Sequence, residues 1–523
     1  MGAVARAALL VMAAFVVSRA LGLVRDILIA RQFATSPELA AYVAAFRIPD
    51  LLFVLVAGGA LASAFIPTLA TYHARGDTEG GWKLTSAVGT WLLLVSGGAA
   101  LLAAVLAPWI VRYVLAPGFP PPLHALTAHL MRIMLGATVI FSLSGLLMGV
   151  LHTHQHFLLP AIAPAVYNAG IIFGAVVLAP RMGVYGLAIG VVLGAVAHLG
   201  VQLPALARLR PRLRLLLGLG DPNVAEGIRE VVRLMLPRMG GLAVVQLNFI
   251  VTTILASFLN PQALPSLDYA WRIMLLPQGV FALAVATAAF PTFAAQAARS
   301  ELRAMQETFA RILGAVLFLT MPAAVGLTLL REPVVALLLQ RGAFGATSTA
   351  AVAWGLLFYA PGLIGHSVVE ITTRAFYALH DTMTPVLVGG AAMLVNIILS
   401  LLLLPRFGDP TNLARGPHGA LALANTLATT LEMLVLLWLL RHRLYGLADR
   451  RLRRGVVRAA GASAVMGAAL VALSWWPTFQ LQSPHVRGAL GILVGACVYL
   501  LVAWVFRADE IHAMSRFILG RFT

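Results

Sequence analysis

Charge is scarce in this chain of 523 residues: Asp, Glu, Lys and Arg together make up only 11%, where a soluble protein carries roughly a quarter. Cysteine occurs once, as Cys497, which excludes an internal disulfide and with it a disulfide-stapled fold. Lysine also occurs once. Lys83 is followed by Leu84, so there is no GK[ST] phosphate loop and no ATP hydrolysis by that route. Any energy for transport then comes from a gradient, a potential or the cargo. No nucleophile–base pair or metal-ligand set stands out, which argues against an enzyme and against a cofactor.

What remains is apolar. Hydrophobic residues make up 60% of the chain and the mean hydropathy is +0.91. Runs long enough to cross a bilayer core, about 20 residues each, recur from end to end. Fourteen are expected, at roughly 8–31, 40–70, 85–113, 124–151, 159–179, 184–206, 229–258, 265–293, 307–330, 348–378, 384–404, 418–440, 456–475 and 487–506, followed by a short amphipathic tail. The fold class is an all-α polytopic membrane protein with no soluble domain. Residues 7–17 after Arg6 imitate a signal peptide, but no small-residue cleavage site follows, so a retained first helix is expected.

The net charge of +18 is carried mostly by short loops between apolar runs, which speaks for membrane orientation and not for nucleic acid. Arg208, Arg210, Arg212 and Arg214 follow the sixth segment; Arg441, Arg443, Arg450, Arg451, Arg453 and Arg454 follow the twelfth. "LAPGFPPPLH" and "PTFQLQSPH", on the opposite side, carry no arginine. The arginine-rich loops are therefore expected in the cytoplasm, along with both termini.

An internal repeat runs through the chain. "FRIPDLLFVLVAGGALASAFIPTLA" resembles "WRIMLLPQGVFALAVATAAFPTFA", and Arg47/Arg272, Pro108/Pro333, Phe119/Phe344 and Pro160/Pro385 are each 225 residues apart. Six helices per copy is an even number, so both copies insert the same way, with a central site expected between them. The expected division is 1–215 (helices 1–6), 216–445 (helices 7–12) and 446–523 (two extra helices and the tail).

"SRALGLVRDILIARQF" places Arg19, Arg25, Asp26 and Arg31 inside the first apolar helix. At about 100° per residue, Ser18, Arg19, Gly22, Arg25 and Asp26 share one third of the circumference, while Arg31 falls off that stripe and snorkels. An arginine at the bilayer centre costs about 2.5–3.5 kcal/mol on insertion scales. A structural ion pair with Asp26 is one reading; two arginines against one acid leave a positive charge over. Adding Arg47 and Arg272, with Asp268 one turn before the latter and Asp50 after the former, gives a cationic site suited to forked recognition of phosphate or pyrophosphate oxygens. Other intramembrane polar groups stay open between structure and function. Asn396 and Glu432 are candidates for a cation site. Glu370, with His366 and Arg374 at helical spacing, reads as a structural or a proton-linked cluster. Arg132 and Arg238 join the site or snorkel. His152, His154 and His156 of "HTHQHF" read as a solvated loop.

These residues are similar to a known family. "SRALGLVRDILIARQF", "AFRIPDLL", "GGALASAFIPTLATY", "LAPGF", "GVLHTHQHFLLPAIAPAVYN", "YAWRIMLLPQGV", "QRGAF" and "RAFYALHDTMTP" resemble, in order, the motifs of the MurJ (MviN) family of lipid II flippases in the MOP exporter superfamily. The resemblance implies fourteen helices in two six-helix lobes plus two. It implies movement of an undecaprenyl-pyrophosphate-linked peptidoglycan precursor from the cytoplasmic to the periplasmic leaflet of the inner membrane. Arg19, Arg25 and Arg272 fall on family residues essential for this, and helices thirteen and fourteen imply a groove for the lipid tail. Coupling to the membrane potential or to a monovalent cation is expected, with membrane lipids, and cell-wall synthesis or division proteins, as partners. This chain departs from the family at Ala40, with Glu38 nearby, where an acid is usual, at Phe53, Val54 and Gly58, and at Trp271, for which Asp268 is the candidate substitute. Rival readings are a MOP-superfamily exporter of another lipid-linked oligosaccharide, and a non-transporting scaffold for cell-wall enzymes.

Overall fold

In hydrocarbon no water satisfies backbone polar groups, so a chain this apolar must form helices. The computed structural model describes residues 3–56, 59–409, 411–447, 450–506 and 508, without the side chains of 3–11, 59, 60, 62, 63, 237, 238, 450 and 451. The expected tail past residue 508, Gly58 and the side chain of Arg238 lie outside this description. The described residues are predominantly helical, with no strand among them. The chain parts into two compact units, Met1–Leu264 and Pro265–Thr523. The seventh apolar segment packs within the first unit, whereas the division read from the repeat falls before that segment.

The first unit holds α1 (Ala3–Phe33), α2 (Pro37–Val56), α3 (Gly59–Ala74), α4 (Thr78–Val105), α5 (Pro121–Thr153), α6 (Leu158–Phe173), α7 (Val184–Gly200) and α8 (Pro222–Ser257). Helix α1 packs on α6, α6 on α7, α2 on α5, and α8 on α2 and α3. The second unit holds most of α9 (Ala263–Gln278), then α10 (Ala284–Ala298), α11 (Leu302–Leu329), α12 (Arg331–Leu339), α13 (Ala346–Tyr359), α14 (Gly362–Ala378), α15 (Met383–Leu403), α16 (His418–Arg443), α17 (Arg450–Trp475) and α18 (Pro484–Val505). Here α16 packs on α13, α14 and α15, while α17 lies on α11 and α18 on α12. The repeat landmarks take matching places: Pro160 and Pro385 are each the third residue of a helix, where proline is tolerated, and Phe119 and Phe344 are both buried.

Twelve helices among the described residues are long and apolar enough to cross a membrane, thirteen if α13 and α14 form one span bent by 51°. Pro361 sits at that bend and supplies its cause. The exact count of fourteen is not confirmed on this measure, which covers the described residues. The thirteen correspond to the second through fourteenth segments, but α1 is not among them. From Met12 on, every eighteen-residue window of α1 carries at least three charges.

Because lipid is as apolar as leucine, helices in a bilayer associate by close packing, and small residues let backbones approach. Ala40, Ala41, Ala44 and Ala45 of α2 are fully buried against α5. Between α6 and α7 the approach is closer still. A methyl group on Gly170 would come within 2.3 Å of the Gly194 Cα, and one on Gly190 within 2.9 Å of the Gly174 Cα. This seam sets the position of α6, whose other face meets α1. Leu94, Val95, Leu101 and Leu102 on α4 are exposed as a bilayer-facing surface, and Trp109, Tyr113, Trp475 and Trp476 are exposed at helix ends, where interfacial aromatics sit.

Outside the apolar spans, Asp381 joins α14, α15 and α16. It accepts from the Thr384 amide at 3.0 Å, the Thr384 hydroxyl at 2.8 Å and Arg443 Nη2 at 3.2 Å. Partial burial alone would raise this carboxyl; the Thr384 hydrogen bonds and Arg443 outweigh it and hold it below its ordinary value. A depressed carboxyl contributes stability above its unfolded value and loses it as pH falls through the folded one.

Two outcomes follow for thermal unfolding in detergent. Gly170→Ala lowers Tm, at a cost of about 1–3 kcal/mol for overpacking, while Gly136→Ala, where nothing lies within 4 Å, does not. Asp381→Asn lowers Tm by the same amount at pH 7 and pH 5, the difference shrinking only below the ordinary carboxyl value of 3.8. Equal Tm for both glycine variants, or a difference lost by pH 5, contradicts these accounts.

Candidate functional site

The charged stripe of α1 is built around Arg25. Its Nε and Nη2 donate to Asp26 Oδ1 at 3.0 and 2.8 Å, and its Nη1 donates to Asn168 Oδ1 of α6 at 2.9 Å. Adjacent helix residues do not normally face each other; the long arginine stem folds back to reach the neighbouring carboxylate. Asn168 Nδ2 in turn donates to the Ser18 carbonyl at 3.3 Å. Ser18, Arg25 and Asp26 are thus gathered on one side of α1 by a single amide of α6, itself 8% exposed. The ion pair exists, and it leaves Arg19 over. Arg19 is exposed, lies 5.2 Å from the Phe15 ring, and forms no ion pair among the described residues. Arg31 is exposed in the last turn.

Arg47 belongs to a second grouping in the same unit. Its Nε donates to Thr253 Oγ1 of α8 at 3.0 Å, and its guanidinium lies 5.2 Å from the Phe249 ring. Asp50, one turn on, accepts from Gln246 Nε2 of α8 at 3.1 Å. In the second unit Arg272 Nε donates to Asp268 Oδ2 at 2.7 Å; the Asp268 side chain is 14% exposed and that of Arg272 is 43% exposed. The departures from the family pattern have local explanations. Ala40 is fully buried, with no room for a carboxylate. Glu38 is exposed in the first turn of α2, where it offsets the helix dipole. Phe53 packs 5.2 Å from the Phe141 ring, so an apolar contact stands in that place. Trp271 packs edge-on against Tyr359 and His366.

The other candidates separate. Glu370 and Arg374 form an i,i+4 pair at 2.8 Å. His366 instead faces Asn425 at 3.3 Å and Thr429 at 3.4 Å, on α16. Glu432 lies against Gly389 of α15, and Asn396 is buried on the same helix. Arg132 donates to the Ala104 carbonyl at 2.9 Å. His154 packs on His73 and Trp82, and His152 on Phe157. The residues that reading by type did not single out are Asn168, Gln246 and Thr253. Each is a polar residue in a largely apolar run, a signal visible in the sequence though silent about its partner.

Helices arranged in this way, with a cation embedded in them, define a multi-pass membrane protein of the MOP transporter fold. An inward-facing multidrug resistance MATE family transporter of the MOP superfamily matches 82% of this chain and 94% of its own, with a TM-score of 0.67 at 14% identity. A lipid II flippase MurJ in an inward closed conformation matches 96% of this chain and 100% of its own, with a TM-score of 0.80 at 25% identity. The lipid II flippase MurJ of Burkholderia cenocepacia is 31% identical over 512 residues, covering 96% of both chains. A probable lipid II flippase MurJ of Vibrio cholerae is 29% identical over 531 residues, covering 98% of both. The profile of the family described as lipid II flippase MurJ matches residues 29–487. The chain belongs to the MurJ family, a family of transporters.

The Arg25–Asn168 contact is open to a double-mutant cycle. Arg25→Ala and Asn168→Ala each lower Tm, and the double variant loses less than their sum, with a coupling of about 0.5–3 kcal/mol. Strict additivity removes Asn168 as the partner.

Proposed function

We propose that this chain flips lipid II, the undecaprenyl-pyrophosphate-linked peptidoglycan precursor, from the cytoplasmic to the periplasmic leaflet of a bacterial inner membrane by alternating access. Membership of the MurJ family supports this reading. The observation that carries it is Arg25, a guanidinium within an apolar helix, held ready by one carboxylate oxygen and one amide oxygen. Phosphate oxygens make the same hydrogen bonds in the same forked geometry, so a pyrophosphate can replace these acceptors without leaving the cation bare. Arg19, with an aromatic ring and no carboxylate, supplies the charge that the stripe does not neutralise internally. Arg47 and Arg272 are the further anion-binding groups of this reading. Asp268 balances Arg272 while no cargo is bound.

Each negative charge moved outward from an inside-negative cell gains about 2.3 kcal/mol per 100 mV, so the membrane potential drives export of an anionic headgroup without ATP. A monovalent cation held at Asn396, Glu432 or Glu370 is the alternative coupling. The arginine-rich loops and both termini face the cytoplasm in this scheme, and the partners are membrane lipids and cell-wall synthesis or division proteins.

The test replaces the essential lipid II flippase of a host bacterium with this chain. The wild type sustains growth. Arg25→Ala and Arg272→Ala reach the membrane in equal amounts and fail to sustain it, with lipid II accumulating on the cytoplasmic side. Growth of both variants at the wild-type rate overturns the arginine role, and failure of a well-expressed wild type overturns the cargo.

A further inference from the structure

The connection between α7 and α8 alternates arginine with leucine. Arg208, Arg210, Arg212 and Arg214 fall on even positions, Leu209, Leu213, Leu215 and Leu217 on odd ones, and no acid occurs until Asp221. This stretch is not a loose linker. The Arg214 amide donates to Ser86 Oγ at 3.1 Å and the Leu216 amide to Thr90 Oγ1 at 3.0 Å, while Trp91 Nε1 donates to the Leu217 carbonyl at 3.1 Å. From Ser86 to Thr90 is four residues of α4, an advance of about 6 Å. From 214 to 216 is two residues of extended chain, about 6.7 Å. The match explains why alternate amides find alternate hydroxyls, and along 213–217 it places odd and even side chains on opposite faces. At its end the strap is locked by Gly218, with φ of +72°, where a methyl group would meet Val224, Ala87 and Ile228 at 2.7–3.0 Å.

The strap shows water or lipid a pattern that a soluble surface avoids. Leu215 is 84% exposed and Leu219 66% exposed, next to an α4 face that is itself apolar and outward-facing. All four arginines are exposed, and none forms an ion pair among the described residues. Trp91, the strap's indole donor, is the residue type that settles at the headgroup level. We propose that this strap is a docking surface for anionic phospholipid headgroups of the cytoplasmic leaflet: its leucines enter the acyl boundary and its arginines hold headgroup phosphates. The backbone is pinned from Arg214 to Leu217, at the end of the arginine run, so ordering that end on a lipid costs less than ordering a free loop. A basic cluster beside a membrane helix gains affinity for acidic lipid with each added cation. The proposal concerns a surface separate from Arg25. For the leaflet it rests on the orientation proposed above.

Purified full-length protein is mixed with equal amounts of phosphatidylglycerol and phosphatidylcholine, and bound lipids are counted by native mass spectrometry. The wild type binds phosphatidylglycerol preferentially. R208Q/R210Q/R212Q/R214Q loses that preference by at least about tenfold, and Arg212→Gln with Arg214→Gln loses part of it. R75Q/R181Q/R341Q/R406Q, with the same loss of charge at isolated exposed arginines elsewhere, keeps it. Elution at the wild-type volume checks folding. Unchanged preference in the strap variant, or equal loss in both quadruple variants, overturns the site. Sidedness is read apart, from Gly220→Cys, an exposed position with nothing within 4 Å, in a Cys497→Ser background with a membrane-impermeant maleimide. Labelling only after permeabilisation supports the cytoplasmic leaflet. Labelling in intact cells overturns that orientation without touching the lipid preference.

Discussion

A cation inside an apolar helix must be given an acceptor, and this constraint orders the rest of the molecule. An unsatisfied arginine at the bilayer centre costs several kcal/mol, and the chain meets the demand in three ways. Arg25 takes the neighbouring carboxylate and an amide from α6; Arg47 takes a hydroxyl from α8 and an aromatic face; Arg272 takes a carboxylate one turn earlier. The first two reach across to other helices, so satisfying the charge also registers α6 on α1 and α8 on α2.

Backbone packing makes those reaches work. Asn168 is useful to Arg25 only because α6 is held at a definite depth and rotation, and the glycine seam with α7 supplies that hold where the bilayer offers no hydrophobic drive. In the proposed function, a guanidinium positioned this way would lose little further freedom on exchanging its present acceptors for phosphate oxygens. Pre-organisation of this kind favours binding a polar headgroup while the lipid tail stays in the membrane.

Much of this was legible in the sequence, because membrane insertion acts on hydropathy and spacing directly. The apolar segments, the offset of 225 residues and the shared face of Ser18, Arg25 and Asp26 all follow from composition and helical period. Legibility failed where one residue has several uses. Ala40 and Glu38 are two positions apart in sequence, yet one is fully buried and the other exposed, so proximity in the chain does not make the acid a substitute. The arginines after α7 read as a topology signal; their alternation with leucine acquired meaning only with Ser86 and Thr90 beside them.

By itself the sequence determined that the chain is a bundle of membrane helices, that four landmarks recur at one offset of 225 residues, and that α1 carries excess positive charge along one stripe. These are properties of local period and of transfer from water, which each segment has alone. Tertiary structure decided which acceptor each cation receives. The partner of Arg25 lies 143 residues away and that of Arg47 lies 206 away. Contacts at that separation depend on how helices pack, and in a bilayer packing is set by the close approach of small residues, a relation between surfaces that no single helix contains.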